Sequence, residues 1–130
     1  MIVVDASVLV DIVLGTARSR ELASRVFVPG RAVHCPHLLD VEIAQVLRRY
    51  ALAGDLAPER GAEALRDVAD LPLVRHAHDG FLPRIWQLRR NITAYDAAYV
   101  VLAESLDAPL WTRDRRLARA SGHDATVVLV

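Results

Sequence analysis

Met1-Ile2-Val3-Val4-Asp5-Ala6-Ser7 opens the chain with three consecutive β-branched apolar residues, Ile2 to Val4, that end on an aspartate. Three such residues without a polar interruption read as a short strand buried on both faces. Ala6 to Leu14 then reads as a helix, stopped by Gly15. A buried strand passing directly into a helix is the start of a βα unit. Asp5 stands at the carboxyl end of that strand.

The same grammar repeats outward. Thr16 to Arg25 can form a second helix, and Ala32-Val33-His34-Cys35 before Pro36 a second strand. Leu38 to Ala53 carries Leu39, Ile43, Val46, Leu47 and Tyr50 at helical spacing and stops at Gly54. Pro58 opens a helix through Val68, Leu73-Val74 adds a strand, and Gly80 to Arg89 and Thr93 to Leu106 are helices. Leu110-Trp111-Thr112, Asp114 to Ala120 and Thr126 to Val130 complete the series as strand, helix and strand. Short apolar strands alternating with helices predict an α/β domain whose parallel sheet is covered on both faces. Ligands of such sheets gather at the carboxyl ends of the strands, where Asp5 and Asp114 fall.

With 130 residues, 53% hydrophobic and 25% charged, the chain is expected to be one globular domain spanning 1–130. No apolar run reaches membrane-spanning length, and the start has neither a basic region nor an uninterrupted hydrophobic stretch of the kind a secretory signal needs. Cys35 stands alone, which excludes an internal disulfide and fits a reducing cytoplasm. The formal net charge is zero. All sixteen basic residues are arginines, a bias that genomic composition explains as well as phosphate binding does. Residues 81 to 120 hold seven arginines against four acids, so this part is locally basic and compatible with nucleic acid.

Four acids matter jointly: Asp5, Glu42, Asp96 and Asp114. Singly, each has a structural explanation. Asp5 and Asp114 are placed to cap the helices that follow them, and Thr93-Ala94-Tyr95-Asp96 has the form of a capping box. Yet Asp96 shares a helix face with Ile92, Tyr99, Val100 and Ala103, and a buried acid needs a partner. Glu42 and Asp40 lie at opposite margins of one apolar stripe, so phase does not choose between them, although Asp40 suits the first turn of its helix. Two carboxylates about 4 Å apart repel by roughly 4 kcal/mol at an effective dielectric of about 20. Several at one sheet edge therefore predict a hard divalent cation, Mg2+ or Mn2+.

With these residues assembled, the chain resembles the PIN-domain ribonucleases, in particular the VapC-type toxins of toxin-antitoxin modules. The resemblance rests on Ile2-Val3-Val4-Asp5-Ala6-Ser7, on Glu42 in the helix after Pro36, on Thr93-Ala94-Tyr95-Asp96-Ala97-Ala98-Tyr99, and on Leu110-Trp111-Thr112-Arg113-Asp114. It implies a three-layer α/β/α fold with a parallel sheet of about five strands. It also implies an Mg2+- or Mn2+-dependent endoribonuclease whose catalytic and metal-binding acids are Asp5, Glu42, Asp96 and Asp114, which selects Glu42 over Asp40. Ser7 and Thr112 match hydroxyl positions beside that quartet, where they would orient a carboxylate. Partners implied are RNA, a cognate antitoxin and a second copy of the chain.

Arg113, Arg115, Arg116 and Arg119 surround Asp114 and are candidates for RNA phosphates, against the plainer reading of a solvated helix face. Arg49 is expected to pair with a carboxylate. His76 and His78 resemble two metal ligands but lack a third, and are expected at the surface. Cys35 reads as a core residue. Trp86, Trp111, Tyr95 and Tyr99 could stack bases, although packing is the commoner fate of such residues. Two other functions compete. A non-catalytic module binding RNA or protein would share the fold. A haloacid-dehalogenase-type phosphatase would also place an aspartate after its first strand, but expects another aspartate where this chain has Ser7, and a lysine that the chain lacks.

Overall fold

The computed structural model describes residues 1–130 as a five-stranded, all-parallel sheet between helices. The strands are β1 (Ile2–Val4), β2 (Val33–Pro36), β3 (Leu73–His76), β4 (Leu110–Thr112) and β5 (Val127–Leu129), in the spatial order β3-β2-β1-β4-β5. The chain builds outward from β1 on one side, then returns to build β4 and β5 on the other. The order therefore reverses between β1 and β4, and a crevice opens at the carboxyl ends of strands at such a switch. Asp5 follows β1 and Asp114 lies two residues beyond β4, so the two acids flank this point.

The helices are α1 (Ala6–Leu14), α2 (Ser19–Val26), α3 (Leu38–Leu52), α4 (Pro58–Asp70), α5 (Leu82–Gln87), α6 (Ala94–Leu106) and α7 (Arg115–Ala118). Helix α1 packs against α2, α3 and α4, while α6 lies along β1, β2 and β4 with α5 beside it. Gly15 ends α1 in the left-handed conformation at φ +67°, its N–H returning to the carbonyls of Asp11 and Ile12. Ala97 to Ala103 of α6 are buried without interruption. These central turns are enclosed all round, beyond the single apolar face the spacing predicts, while Tyr95 and Ser105 near the two ends are exposed. None of the helices is long and apolar enough to cross a membrane.

The predicted helix over 80–89 is divided. A 3-10 turn at Asp79–Phe81 precedes α5, because Pro83 near the start of α5 has no N–H to continue a helix from the preceding turn. The histidines also depart from expectation. His76 Nε2 lies 2.8 Å from His34 Nδ1, so this half-buried pair shares a proton between β2 and β3 rather than facing solvent. Cys35 is fully buried in β2, and burial pushes its thiol up to about 12, the behaviour of a core residue rather than a nucleophile.

Candidate active site

Asp5 is the most deeply buried acid in the chain. It is 6% exposed. Its Oδ1 accepts the Val8 N–H at 3.2 Å, which caps α1, and the Ser7 hydroxyl at 2.6 Å. Its Oδ2 accepts the Thr112 hydroxyl. Both hydroxyls are themselves fixed by the turn after β4. Ser7 Oγ accepts the Arg113 N–H at 2.9 Å, and Thr112 Oγ1 accepts the Asp114 N–H, also at 2.9 Å. Two hydroxyl relays thus tie the ends of β1 and β4 together through one carboxylate. Burial raises the pKa of Asp5, the three hydrogen bonds oppose that, and nearby Asp96 adds to it.

Glu42 projects from α3 toward α6, where the Tyr99 hydroxyl donates to its Oε2. Burial raises its pKa, Tyr99 opposes, and Asp96 and Asp5 push it further up. Asp40, at the other margin of the same helix, faces away. Arg75 of β3 holds it with two hydrogen bonds of 2.8 and 3.0 Å and also donates to the Val68 carbonyl. The two acids that helical phase leaves equivalent are therefore separated by their partners. Asp40 is neutralised, and Glu42 is left with a phenol.

Asp96 stands in the first turn of α6. Its N–H donates to Thr93 Oγ1 at 3.1 Å, one half of the predicted capping box. Burial and then Asp114 raise its pKa, while Thr93 and Arg116 oppose them. Asp114 caps α7 by accepting the Arg116 N–H at 2.7 Å, and its other oxygen lies 3.6 Å from the Arg116 guanidinium. All four acids, with Ser7, line one cavity of about 500 Å3. Leu38, Val41 and Val46 line the same cavity, together with Gln45, Tyr95 and Tyr99.

Burial raises the pKa of three carboxylates, Asp5, Glu42 and Asp96, that share one space lined by no arginine. No three carboxylate, imidazole or thiolate groups converge tightly enough to enclose an ion by themselves. That arrangement fits Mg2+ or Mn2+ better than a caged ion, because Mg2+ keeps several waters and takes only one or two carboxylates plus substrate phosphate. Asp5, Asp96 and Glu42 are the donors available. His76 and His78 contribute nothing here, since they belong to the β2–β3 edge.

The arginines divide. Arg113 is tied to Asp11 at 2.5 Å. With Asp11 so engaged, Arg49 has no carboxylate within 4 Å, contrary to its expected pairing, and lines a small cavity beside Arg113. Arg115 and Arg116 are exposed. Two arginines passed over in the sequence, Arg89 and Arg90, line a cavity that includes Asp96 and Arg116. Their signal was a pair of adjacent cations just before Thr93, the cap of the Asp96 helix. Of the aromatics, Tyr99 is buried, Trp111 lies within 5.5 Å of the guanidinium groups of Arg25 and Arg31, and Tyr95 and Trp86 are exposed.

The PIN domain family matches residues 2–122. The chain is 38% identical over 130 residues to VapC ribonuclease Mb0985 of Mycobacterium bovis, spanning 100% of this chain and 98% of that protein. It is 40% identical over 132 residues to ribonuclease VapC1 of Mycobacterium tuberculosis, spanning 98% and 96% of the two. Among solved structures, PAE2754 from Pyrobaculum aerophilum superposes with a TM-score of 0.69 at 22% identity, over 96% of this chain and 81% of that one. VapC20 of Mycobacterium tuberculosis, described as a sarcin-ricin loop cleaving toxin, superposes at 0.67 with 15% identity, over 91% and 93%. These two likenesses carry the fold alone, whereas the full-length identities and the matched family together place the sequence: the chain belongs to the PIN-domain family, among its VapC ribonucleases.

Proposed function

We propose that the chain is an endoribonuclease toxin that hydrolyses RNA phosphodiester bonds with Mg2+ or Mn2+ at Asp5, Glu42, Asp96 and Asp114. The observation that carries this reading is the convergence of these four acids in one cavity at the switch point of the sheet. When bound, the ion supplies Lewis acidity toward the scissile phosphate and an attacking water. The protein's part is positional. Asp5 and Asp96 are the principal ligands, Asp5 being fixed by Ser7 and Thr112. Glu42, oriented by Tyr99, is a ligand or holds the attacking water. Asp114 lies peripherally, committed in part to its cap and to Arg116. The whole chain serves as one such domain, working in the cytoplasm as a homodimer and silenced by a cognate antitoxin. The phosphatase reading loses its ground once the family is established.

The test is incubation of purified protein with mixed cellular RNA in Mg2+ or Mn2+, in excess chelator, and as an Asp5→Asn variant. Metal-dependent cleavage that is lost in the variant is expected. Cleavage that persists in chelator would overturn the metal-dependent reading, and intact RNA in every condition would favour the non-catalytic module.

Tyr99→Phe isolates the role of Glu42. Removing a hydroxyl that donates to a carboxylate costs about 1.5–3 kcal/mol when the site is buried. Glu42 loses the group that favours its charged form, so its pKa should rise further. Expected results are an acidic limb of the activity profile displaced to higher pH and a roughly tenfold weaker requirement-saturating metal affinity. An unchanged pH profile together with unchanged metal dependence would show that Glu42 works independently of Tyr99.

A further inference from the structure

Asp96 is shared by two cavities of opposite character. The first holds the four acids and no arginine. The second, of about 440 Å3, is lined by Arg89, Arg90 and Arg116 with Asn91 and Thr93, and Asp96 is its only carboxylate. Three cations against one anion leave this space without charge balance. Arg60, Arg75, Arg84 and Arg113 are satisfied by carboxylates elsewhere in the fold. Arg89 and Arg90 have none within 4 Å. Arg89 donates only to the Trp86 carbonyl, at 3.0 Å, and lies over the Trp86 ring at 4.8 Å. The Arg116 side chain is 93% exposed, and the one carboxylate within 4 Å of it, Asp114 at 3.6 Å, belongs to the acid cavity.

The segment that carries these arginines is anchored rather than loose. The N–H groups of Asn91 and Ile92 both return to the carbonyl of buried Leu88, at 2.9 and 3.2 Å. The Asn91 side chain packs on Gly122, where φ is +86° and a Cβ would fall 2.7 Å from Asn91 Cγ. A larger residue at 122 would displace it.

We propose that Arg89, Arg90 and Arg116 form a subsite for an RNA backbone phosphate next to the scissile one. The inference rests on the nuclease reading, because it is the acids beyond Asp96 that fix where the scissile phosphate lies. A polynucleotide is the ligand chemistry that satisfies both spaces at once. One phosphate reaches the acids through their cation, and its neighbour meets guanidinium forks suited to bidentate contact. Such a contact fixes the path of the strand across the acids and contributes affinity without base choice.

The test is fluorescence anisotropy of a labelled single-stranded RNA in chelator, with its integrity checked afterwards on a gel. Wild type is compared with an Arg89→Gln, Arg90→Gln double variant and with Arg20→Gln, Arg66→Gln, which removes equal charge from exposed positions outside both cavities. The subsite variant is expected to bind about tenfold more weakly, with the slope of log affinity against log salt smaller by about 0.7, the value for one phosphate contact on a single strand. The control should bind nearly as wild type does. A neutral methylphosphonate scanned along the RNA should weaken wild-type binding at one linkage flanking the cut, and should cost the subsite variant nothing further there. Equal affinity and equal slope for wild type and the subsite variant overturn the subsite and leave the nuclease reading standing. So does an additive methylphosphonate penalty. Wild-type protein that shows the expected binding pattern yet cuts no RNA when Mg2+ or Mn2+ is added overturns the nuclease reading and leaves an RNA phosphate site.

Discussion

Asp96→Asn is expected to give a protein that melts at higher temperature than wild type in chelator, yet cuts RNA about 1,000-fold more slowly. The two effects have one cause. Asp96 is half-buried beside Asp114, and its pKa lies above the ordinary aspartate value of 3.8 because burial and that neighbour both disfavour its charge. At neutral pH the folded state carries the cost of keeping it ionised, and asparagine removes the charge while keeping the shape. A gain of about 1 kcal/mol corresponds to roughly 3–5 °C in a chain of this size. The rate loss is expected if Asp96 is a principal ligand as proposed, and 1,000-fold is about 4 kcal/mol of transition-state stabilisation.

The pH dependence has a definite sign. Well below the ordinary aspartate value of 3.8, Asp96 is protonated in both the folded and unfolded chain, and no penalty exists. As pH rises from there through the higher folded pKa, the folded state binds more protons than the unfolded one, so stability falls. Asp5 and Glu42, also raised, add slopes of the same sign. Glu104, which Arg84 holds below its ordinary value through hydrogen bonds of 2.9 and 3.0 Å, contributes the opposite slope at lower pH. The difference between wild type and Asp96→Asn therefore isolates one group. Melting curves in chelator from pH 4 to neutrality should diverge as pH rises. Added Mg2+ should raise the wild-type midpoint, by about 2.7 kcal/mol in stability at 100 times the dissociation constant, and leave the variant nearly unmoved. A variant that melts lower than wild type throughout, or responds equally to Mg2+, would remove Asp96 from the ion's ligands.

The strand and helix series was legible because each element carries its own punctuation. Gly15 ends α1, Pro58 starts α4, and β-branched runs mark β1 and β5. The site was only half legible, and for a physical reason. A strand's carboxyl end followed by a helix needs a cap, and ligands gather at that same end, so Asp5 and Asp114 carry both signatures in one residue. The structural and functional explanations are not alternatives there; the cap's geometry aims the carboxylate. Choosing Glu42 over Asp40 needed Tyr99 and Arg75, which lie 57 and 35 residues away along the chain. No local pattern contains that information, and the expectation of Glu42 rests on the family resemblance alone. Arg89 and Arg90 were missed because an arginine pair reads as a solvated surface until the shared cavity places it against Asp96. The His34–His76 contact was missed because the pairing of β2 with β3 is a tertiary fact.

Thr112→Val should damage both stability and cleavage, although threonine at that position touches neither the cavity wall nor solvent. Thr112 is fully buried, and its hydroxyl both accepts the Asp114 N–H and donates to Asp5. Valine matches its shape and removes both functions, leaving a carboxylate oxygen and a backbone N–H without partners. Each such group costs about 1–3 kcal/mol, so a loss of roughly 2–6 kcal/mol in stability is expected. Asp5 also loses a bond that favours its charged form, so its pKa should rise above its already raised position. The stability loss should consequently grow as pH rises, and cleavage should fall about 10–100-fold, as it does when a ligand's supporting group is removed. Ser7→Ala removes the second hydroxyl from Asp5, but Ser7 is only half-buried, so water can replace it and the cost should be about 1 kcal/mol. Thr112→Ser restores the hydroxyl without the methyl group and separates the two contributions. It should recover most of the cleavage while remaining less stable than wild type by about the value of one buried methyl, near 1 kcal/mol. If Thr112→Ser were as inactive as Thr112→Val, packing around the end of β4 rather than the hydroxyl relay would be what holds Asp5 in place.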